Sequence, residues 1–167
     1  MWDVIQSAGW IIYYLWSDQE PRYLIIKRYA LSKKIERVAP KGKIQVWEKS
    51  DLAALREVSE ETGIPINQIK IIAEMWKTEL RSKDSWKWLM DKDVTYFLME
   101  FRWDPSAVEI QKNEWYIGTY KWATIDEVLW LVYYKDIREL FRDTYHVIKN
   151  QKKKNDIKKN FISTLEL

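Results

Sequence analysis

Apolar and β-branched residues come in short blocks over the first hundred positions, separated by polar punctuation. Residues 7–16 ("SAGWIIYYLW") have the density of aromatic and β-branched side chains that suits a strand. Turn composition follows at 17–21 ("SDQEP"), and 22–30 ("RYLIIKRYA") returns to the strand pattern, so the two runs predict a hairpin. Residues 31–43 ("LSKKIERVAPKGK") are polar and contain Pro40 and Gly42, which predicts a loop or a short strand end. Two further strands are expected at 69–80 ("IKIIAEMWKTEL") and 93–103 ("DVTYFLMEFRW"), with a charged excursion between them, and a short last strand at 116–123 ("YIGTYKWA").

Helical periodicity fills the gaps. Ser50 is suited to cap a helix over 51–62, with Asp51 in the first turn where the helix dipole favours an acid. Gly63 is a good residue just past its end, and Pro65 prevents continuation. Thr124 is suited to cap "IDEVLWLVYY", and a longer helical stretch follows from Lys135. There Ile137, Leu140, Phe141, Tyr145 and Ile148 recur every three or four residues as an apolar stripe. Strands separated by helical segments predict one α/β domain, a mixed sheet covered by helices.

Composition narrows the class. At 167 residues, 47% hydrophobic and 32% charged, the chain suits one folded domain with a real core. Eleven Trp and ten Tyr offer large flat surfaces for a core or for flat ligands. With no cysteine, a disulfide framework and a thiolate metal site are excluded, which suits a reducing compartment. No run approaches the ~20 apolar residues that cross a bilayer. The opening sixteen residues carry Asp3 and no basic residue ahead of their apolar part, unlike a signal peptide. A cytoplasmic protein without a membrane partner is expected. The formal charge of +3 is uneven: residues 149–160 carry six lysines and one aspartate, leaving −2 for the rest. That basic tail (151–167 beyond a domain of 1–150) reads as a solvated helix end or, alternatively, as a contact for RNA. His146, the only histidine, reads as packing or surface, so histidine-based catalysis is not available.

The chemistry is concentrated in "GKIQVWEKSDLAALREVSEETGI", Gly42 to Ile64. Glu57, Glu60 and Glu61 crowd about one turn of the expected helix, although like charges at this spacing destabilise it by roughly 0.2–0.5 kcal/mol per pair. On a helical wheel they share a face with Ala53 and Ala54, while Leu52, Leu55, Val58 and Thr62 gather opposite as the buried face. Carboxylates stacked at i,i+4 beneath small side chains suit a hard divalent cation, which would offset their repulsion. Arg56 stands four residues before Glu60, within reach of an ion pair.

Gly42, five residues, Glu48, seven residues and then "REVSEETGI" match every fixed position of the Nudix box, and the sequence resembles a Nudix hydrolase. "SAGWIIYY", "YLIIKR", "APKGK", "VTYFLMEF" and "YKWATIDEVLWL" resemble the diadenosine and diphosphoinositol polyphosphate branches of that family. The resemblance implies an α/β/α sandwich around a mixed sheet. It also implies Mg2+- or Mn2+-dependent hydrolysis of a nucleoside diphosphate linked to another group, such as a dinucleoside polyphosphate. Alternatives are pyrophosphohydrolysis at RNA 5′ ends and nucleotide sensing without cleavage. By carry-over, Glu57 and Glu61 are metal ligands and Glu60 is a ligand or the base. Glu48 and the Lys41 carbonyl are further candidate ligands, with Glu114 or Glu109 from a later loop. Arg56 joins the catalytic group. Lys41, Gly42, Arg28 and Trp47 are candidate substrate contacts. Trp47 replaces a frequent glycine and is expected either to stack on a nucleobase or to pack on the domain. Trp76, Trp86 and Trp88 either line a base pocket or belong to the core.

Overall fold

The computed structural model describes residues 4–29, 35–80, 92–110, 112 and 116–165. A seven-stranded sheet forms the middle layer. Its strands are β1 (Ile5–Leu15), β2 (Pro21–Tyr29), β3 (Ile35–Val38), β4 (Lys41–Lys43), β5 (Ile69–Leu80), β6 (Lys92–Phe101) and β7 (Tyr116–Ala123). The main path runs β3-β2-β1-β6-β5, with β4 beside β1 and β7 beside β2. The β1–β6 pair is parallel and the other pairs are antiparallel, so the sheet is mixed as expected.

The polar stretch expected to be loop or strand end contains two short strands. β3 lies against the second half of β2 (Arg28↔Glu36), and β4 lies against the first half of β1 (Ala8↔Gly42). Between them the Pro40 carbonyl accepts from the Trp10 N–H at 3.1 Å. The sequences "IERV" and "KGK" carry little apolar signal because the sheet supplies partners for their backbone rather than their side chains.

Three helices cover the sheet: α1 (Ser50–Thr62), α2 (Ile125–Leu131) and α3 (Lys135–Leu165). Alternation along β1 divides the core. Ala8, Trp10 and Ile12 pack with α1, whereas Ile11 and Tyr13 pack with α2 and α3. The result is an α/β/α sandwich. On α3, Leu140, Phe141 and Ile148 of the expected stripe are buried together with Thr144, while Ile137 and Tyr145 are partly buried at its edges. The helix runs unbroken past Asn150, and Lys153–Lys158 lie exposed on it. Trp76 packs with this second core and donates its Nε1–H to Asp143 at 2.9 Å. Trp86 and Trp88 lie outside the described residues.

Two details of α1 differ from the sequence reading. Lys49, not Ser50, is the residue ahead of the helix, and no side chain caps it. The wheel placed Val58 and Thr62 inside correctly but missed the alanines and misplaced Leu52. Ala53, Ala54, Val58 and Thr62 are buried, while Leu52 is 53% exposed. The alanines are small because α1 sits close on β1 and β4, and this turns the carboxylates of positions 57 and 61 toward the seam between helix and sheet. The far end matches expectation. Gly63 adopts φ +68 and its N–H bonds to the Ser59 carbonyl at 3.0 Å.

Candidate active site

Arg56 uses every edge of its guanidinium to gather the acids. Nε and Nη2 donate to the two oxygens of Glu48 at 2.9 and 3.0 Å, and Nη2 also donates to the Lys43 carbonyl at 3.0 Å. Nη1 donates to Glu57 at 2.7 Å and to Glu60 at 3.0 Å. A planar fork can serve several carboxylates at once in this way, and a single ammonium cannot. The bond from Arg56, with help from the Gln45 N–H, holds the Glu48 carboxyl below the usual carboxylate range. Both Glu48 oxygens thereby accept from the Arg56 guanidinium.

The loop that carries Glu48 closes through Gln45, whose N–H bonds to Glu48 at 3.0 Å and whose carbonyl accepts the Glu48 N–H at 3.1 Å. Trp47, inside that turn, has φ +68. A left-handed backbone costs a non-glycine residue about 1 kcal/mol. Its side chain is 99% exposed, so the expectation that it packs on the domain is overturned.

Glu57 and Glu61 point the other way, toward the sheet. Only 13% of the Glu57 side chain is exposed. A Cβ built on Gly42 would fall 1.8–2.1 Å from its carboxyl atoms, so only glycine fits there. Burial raises the Glu57 carboxyl, and the bond from Arg56 opposes the rise. Glu61 accepts from Trp10 Nε1 at 3.1 Å and from the Tyr116 hydroxyl at 2.5 Å. Burial pushes it up to about 7, against the bond from Tyr116, and the nearby Glu57 charge pushes it the same way. Glu60 differs from both, being 58% exposed while it touches Arg56.

Sequence reading missed Trp10 and Tyr116. The signal for Trp10 was present: an inward-facing indole needs a partner for its N–H. Tyr116 carried no such signal, because what it meets is set by the pairing of β7 alongside β2.

The remaining candidates divide. Lys41 lies on β4 beside Gly42, opposite Gly9. Arg28 reaches the acids through its field, which lowers Glu61, but its guanidinium is paired with Glu36 on β3 (2.7 Å from Nε). Glu36 in turn accepts from the Tyr134 hydroxyl at 2.9 Å. Glu109 meets the end of α1 through its backbone, its N–H bonding to the Thr62 carbonyl at 3.0 Å, and its side chain is exposed. Glu114 lies outside the described residues. His146 is at the surface of α3.

Among the described residues, no three acidic or imidazole groups already converge on one point as a finished metal cage. The donor chemistry nonetheless fits a hard divalent cation. The donors are carboxylate oxygens, Glu57 lies directly against a glycine backbone, and Glu61 is buried with two neutral donors and, among the described residues, no cation in contact.

Comparison with known proteins fixes the class. A family model described as NUDIX domain matches residues 7–144. Bis(5′-nucleosyl)-tetraphosphatase [asymmetrical] of Sus scrofa is 29% identical over 109 residues, covering 65% of this chain and 69% of that protein. The Mus musculus protein of the same name is 30% identical over the same length. Among solved structures, a C. elegans Ap4A hydrolase binary complex superposes with a TM-score of 0.72 at 21% identity, covering 88% of this chain and 99% of that one. A Nudix hydrolase from M. smegmatis, RenU, superposes with 0.70 at 15% identity, covering 90% and 89%. The family model and the tetraphosphatase relatives define a hydrolase of phosphoric anhydride bonds. The chain belongs to the Nudix family.

Proposed function

We propose that the chain is a Mg2+- or Mn2+-dependent pyrophosphohydrolase of dinucleoside polyphosphates or closely related nucleotides. The carrying observation is the seam between α1 and the sheet, where Glu57 lies against Gly42 and Glu61 is held below it. Glu57 and Glu61 are the residues that would hold the cation, with the Lys41 carbonyl and Glu60 as further candidates. Bound there, such an ion neutralises polyphosphate charge and lowers the pKa of a water.

The chain's own residues supply the rest. Arg56 spaces Glu57 and Glu60 and ties both to the loop through Glu48. Glu60 is the acid most open to solvent, which suits it to take a proton from an attacking water. Attack at phosphorus forms one P–O bond and breaks the anhydride bond, and the leaving phosphate departs as an anion. Gly42 leaves the room in which the Glu57 carboxyl lies against the strand backbone. The relatives named as tetraphosphatases support a dinucleoside substrate.

The test is a substrate panel with Mg2+: a dinucleoside tetraphosphate, nucleoside triphosphates, and RNA with a 5′-triphosphate or cap, with products separated by anion exchange. Fastest turnover is expected for the dinucleoside tetraphosphate, with Glu57→Gln slowing it by roughly 100-fold or more. Preference for RNA that collapses in Lys153→Gln/Lys154→Gln/Lys158→Gln would replace the substrate assignment. Tight binding without product from any substrate would leave a sensor.

A further inference from the structure

A glutamate on a helix ordinarily samples many rotamers, yet both oxygens of Glu61 are pinned. Trp10 Nε1 donates to one from β1 at 3.1 Å, and the Tyr116 hydroxyl donates to the other from β7 at 2.5 Å. The two donors stand on strands that flank β2 and pair with it at the same residue, Tyr23, which is opposite Tyr13 on one side and Ala123 on the other. Trp10 is fully buried, and its backbone N–H is also tied to Pro40. The clamp is therefore built on sheet rather than on loop.

Its chemistry separates Glu61 from its neighbours. Glu48 has both oxygens filled by a guanidinium, whose positive charge makes the pair self-sufficient. Glu61 is met by two neutral donors, each taking one lone-pair direction on its oxygen. Each carboxylate oxygen offers about two such directions, so one on each remains. The carboxylate is fixed in place, and its charge stays uncompensated by the donors that fix it.

We propose that Trp10 and Tyr116 are positioning residues that fix the orientation of the Glu61 carboxylate and so set the affinity of the acid cluster for a divalent cation. This rests on the reading above, in which Glu61 holds that cation. Donors that orient a metal ligand from outside typically matter by 10–100-fold in affinity.

The experiment titrates the full chain with Mn2+, following free ion by paramagnetic resonance, for wild type, Trp10→Phe, Tyr116→Phe, Glu61→Gln and the Tyr116→Phe/Glu61→Gln double variant. Tyr120→Phe, farther along β7, is the control for a general effect of losing a hydroxyl. Tyr116→Phe and Trp10→Phe are expected to weaken Mn2+ by about 10–100-fold, with Tyr120→Phe unchanged. Tyr116→Phe should add less than about twofold once Glu61 is already Gln, since the two act as one unit. Raised Mn2+ should restore turnover in Tyr116→Phe, shifting the metal dependence while leaving the saturated kcat near wild type. Trp10→Phe also removes core volume, so Tyr116→Phe, which deletes a single oxygen, decides the matter if Trp10→Phe unfolds. Unchanged Mn2+ affinity in a folded Tyr116→Phe, with Glu61→Gln clearly weaker, overturns the positioning role alone. A wild type that binds no Mn2+, or a Glu61→Gln that binds it equally well, overturns the underlying cation reading and the positioning role with it.

Discussion

Gly42 and Glu57 occupy a space that admits only one side chain. A methyl at 42 would overlap the Glu57 carboxyl at 1.8–2.1 Å, and the carboxylate is the part that can move. Gly42→Ala should therefore displace Glu57 rather than unfold the strand, since Ala is no worse than Gly in a strand interior. Turnover is expected to fall by roughly 100-fold while unfolding free energy stays within about 1 kcal/mol, readable from kinetics and urea titration on the same sample. Glu61 makes the opposite trade. Burial raises its carboxyl from 4.5 in the unfolded chain to about 7 in the fold. Below the lower value the group is protonated in both states and carries no penalty. As pH rises toward about 7 the folded protein loses stability, and above that the loss is full and constant. Glu61→Gln should then stabilise the metal-free protein by up to about 3 kcal/mol near pH 8 and by little near pH 4. Melting temperatures in a chelator across that range check it. A variant that gains nothing at high pH would mean Glu61 is not a strained anion.

At the scale of elements, α1 is held to its preceding loop by one side chain. Arg56→Lys keeps the charge but gives up the fork on Glu48 and the simultaneous reach to Glu57, Glu60 and the Lys43 carbonyl. A loss of about 1–3 kcal/mol in stability is expected, together with reduced kcat, because Glu57 and Glu60 then repel each other unrestrained. Thermal unfolding beside steady-state kinetics measures both; an Arg56→Lys indistinguishable from wild type would show that the hub is ornamental. The same elements show what a sequence can reveal. Long strands were legible because the cores they enter demand β-branched and aromatic side chains in unbroken runs: the limits of β5 and β7 match the reading residue for residue. The Thr124 capping box was legible too, being local chemistry between Thr124 and Glu127. β3 and β4 were not, because their stability lies in backbone pairing with distant strands. The box spacing located the acids on one helix, but which side of that helix meets the sheet depended on Ala53 and Ala54, read from the wheel as space around the acids. The partner of Trp10 and the role of Tyr116 were beyond reach for the same reason, since their bonds to Glu61 span 51 and 55 positions of chain, although an inward-facing indole at position 10 announced that it needed an acceptor.

For the whole molecule, α3 is one helix with two different roles along its length. Up to Ile148 it closes the second core, with Leu140, Phe141, Thr144 and Ile148 buried, and Tyr145 and Lys149 both bond to Glu20 at the β1–β2 turn. From Lys153 to Lys158 the described side chains face solvent. Helical stability in water comes mainly from packing an apolar face, so the two halves should respond very differently to change. Phe141→Ala removes a ring that packs edge-on to Tyr23 at a centroid distance of 5.3 Å. A loss of about 3–5 kcal/mol is expected, enough to unfold much of a marginally stable domain. Ending the chain at Lys152 removes none of those contacts and should shift stability by less than about 1 kcal/mol, leaving nucleotide turnover intact. Urea titration and a turnover assay of both variants decide between them. If the shortened chain unfolds as readily as Phe141→Ala, the turns of α3 beyond Lys152 hold the sandwich together although Lys153–Lys158 lie exposed, and the division of roles along the helix is wrong.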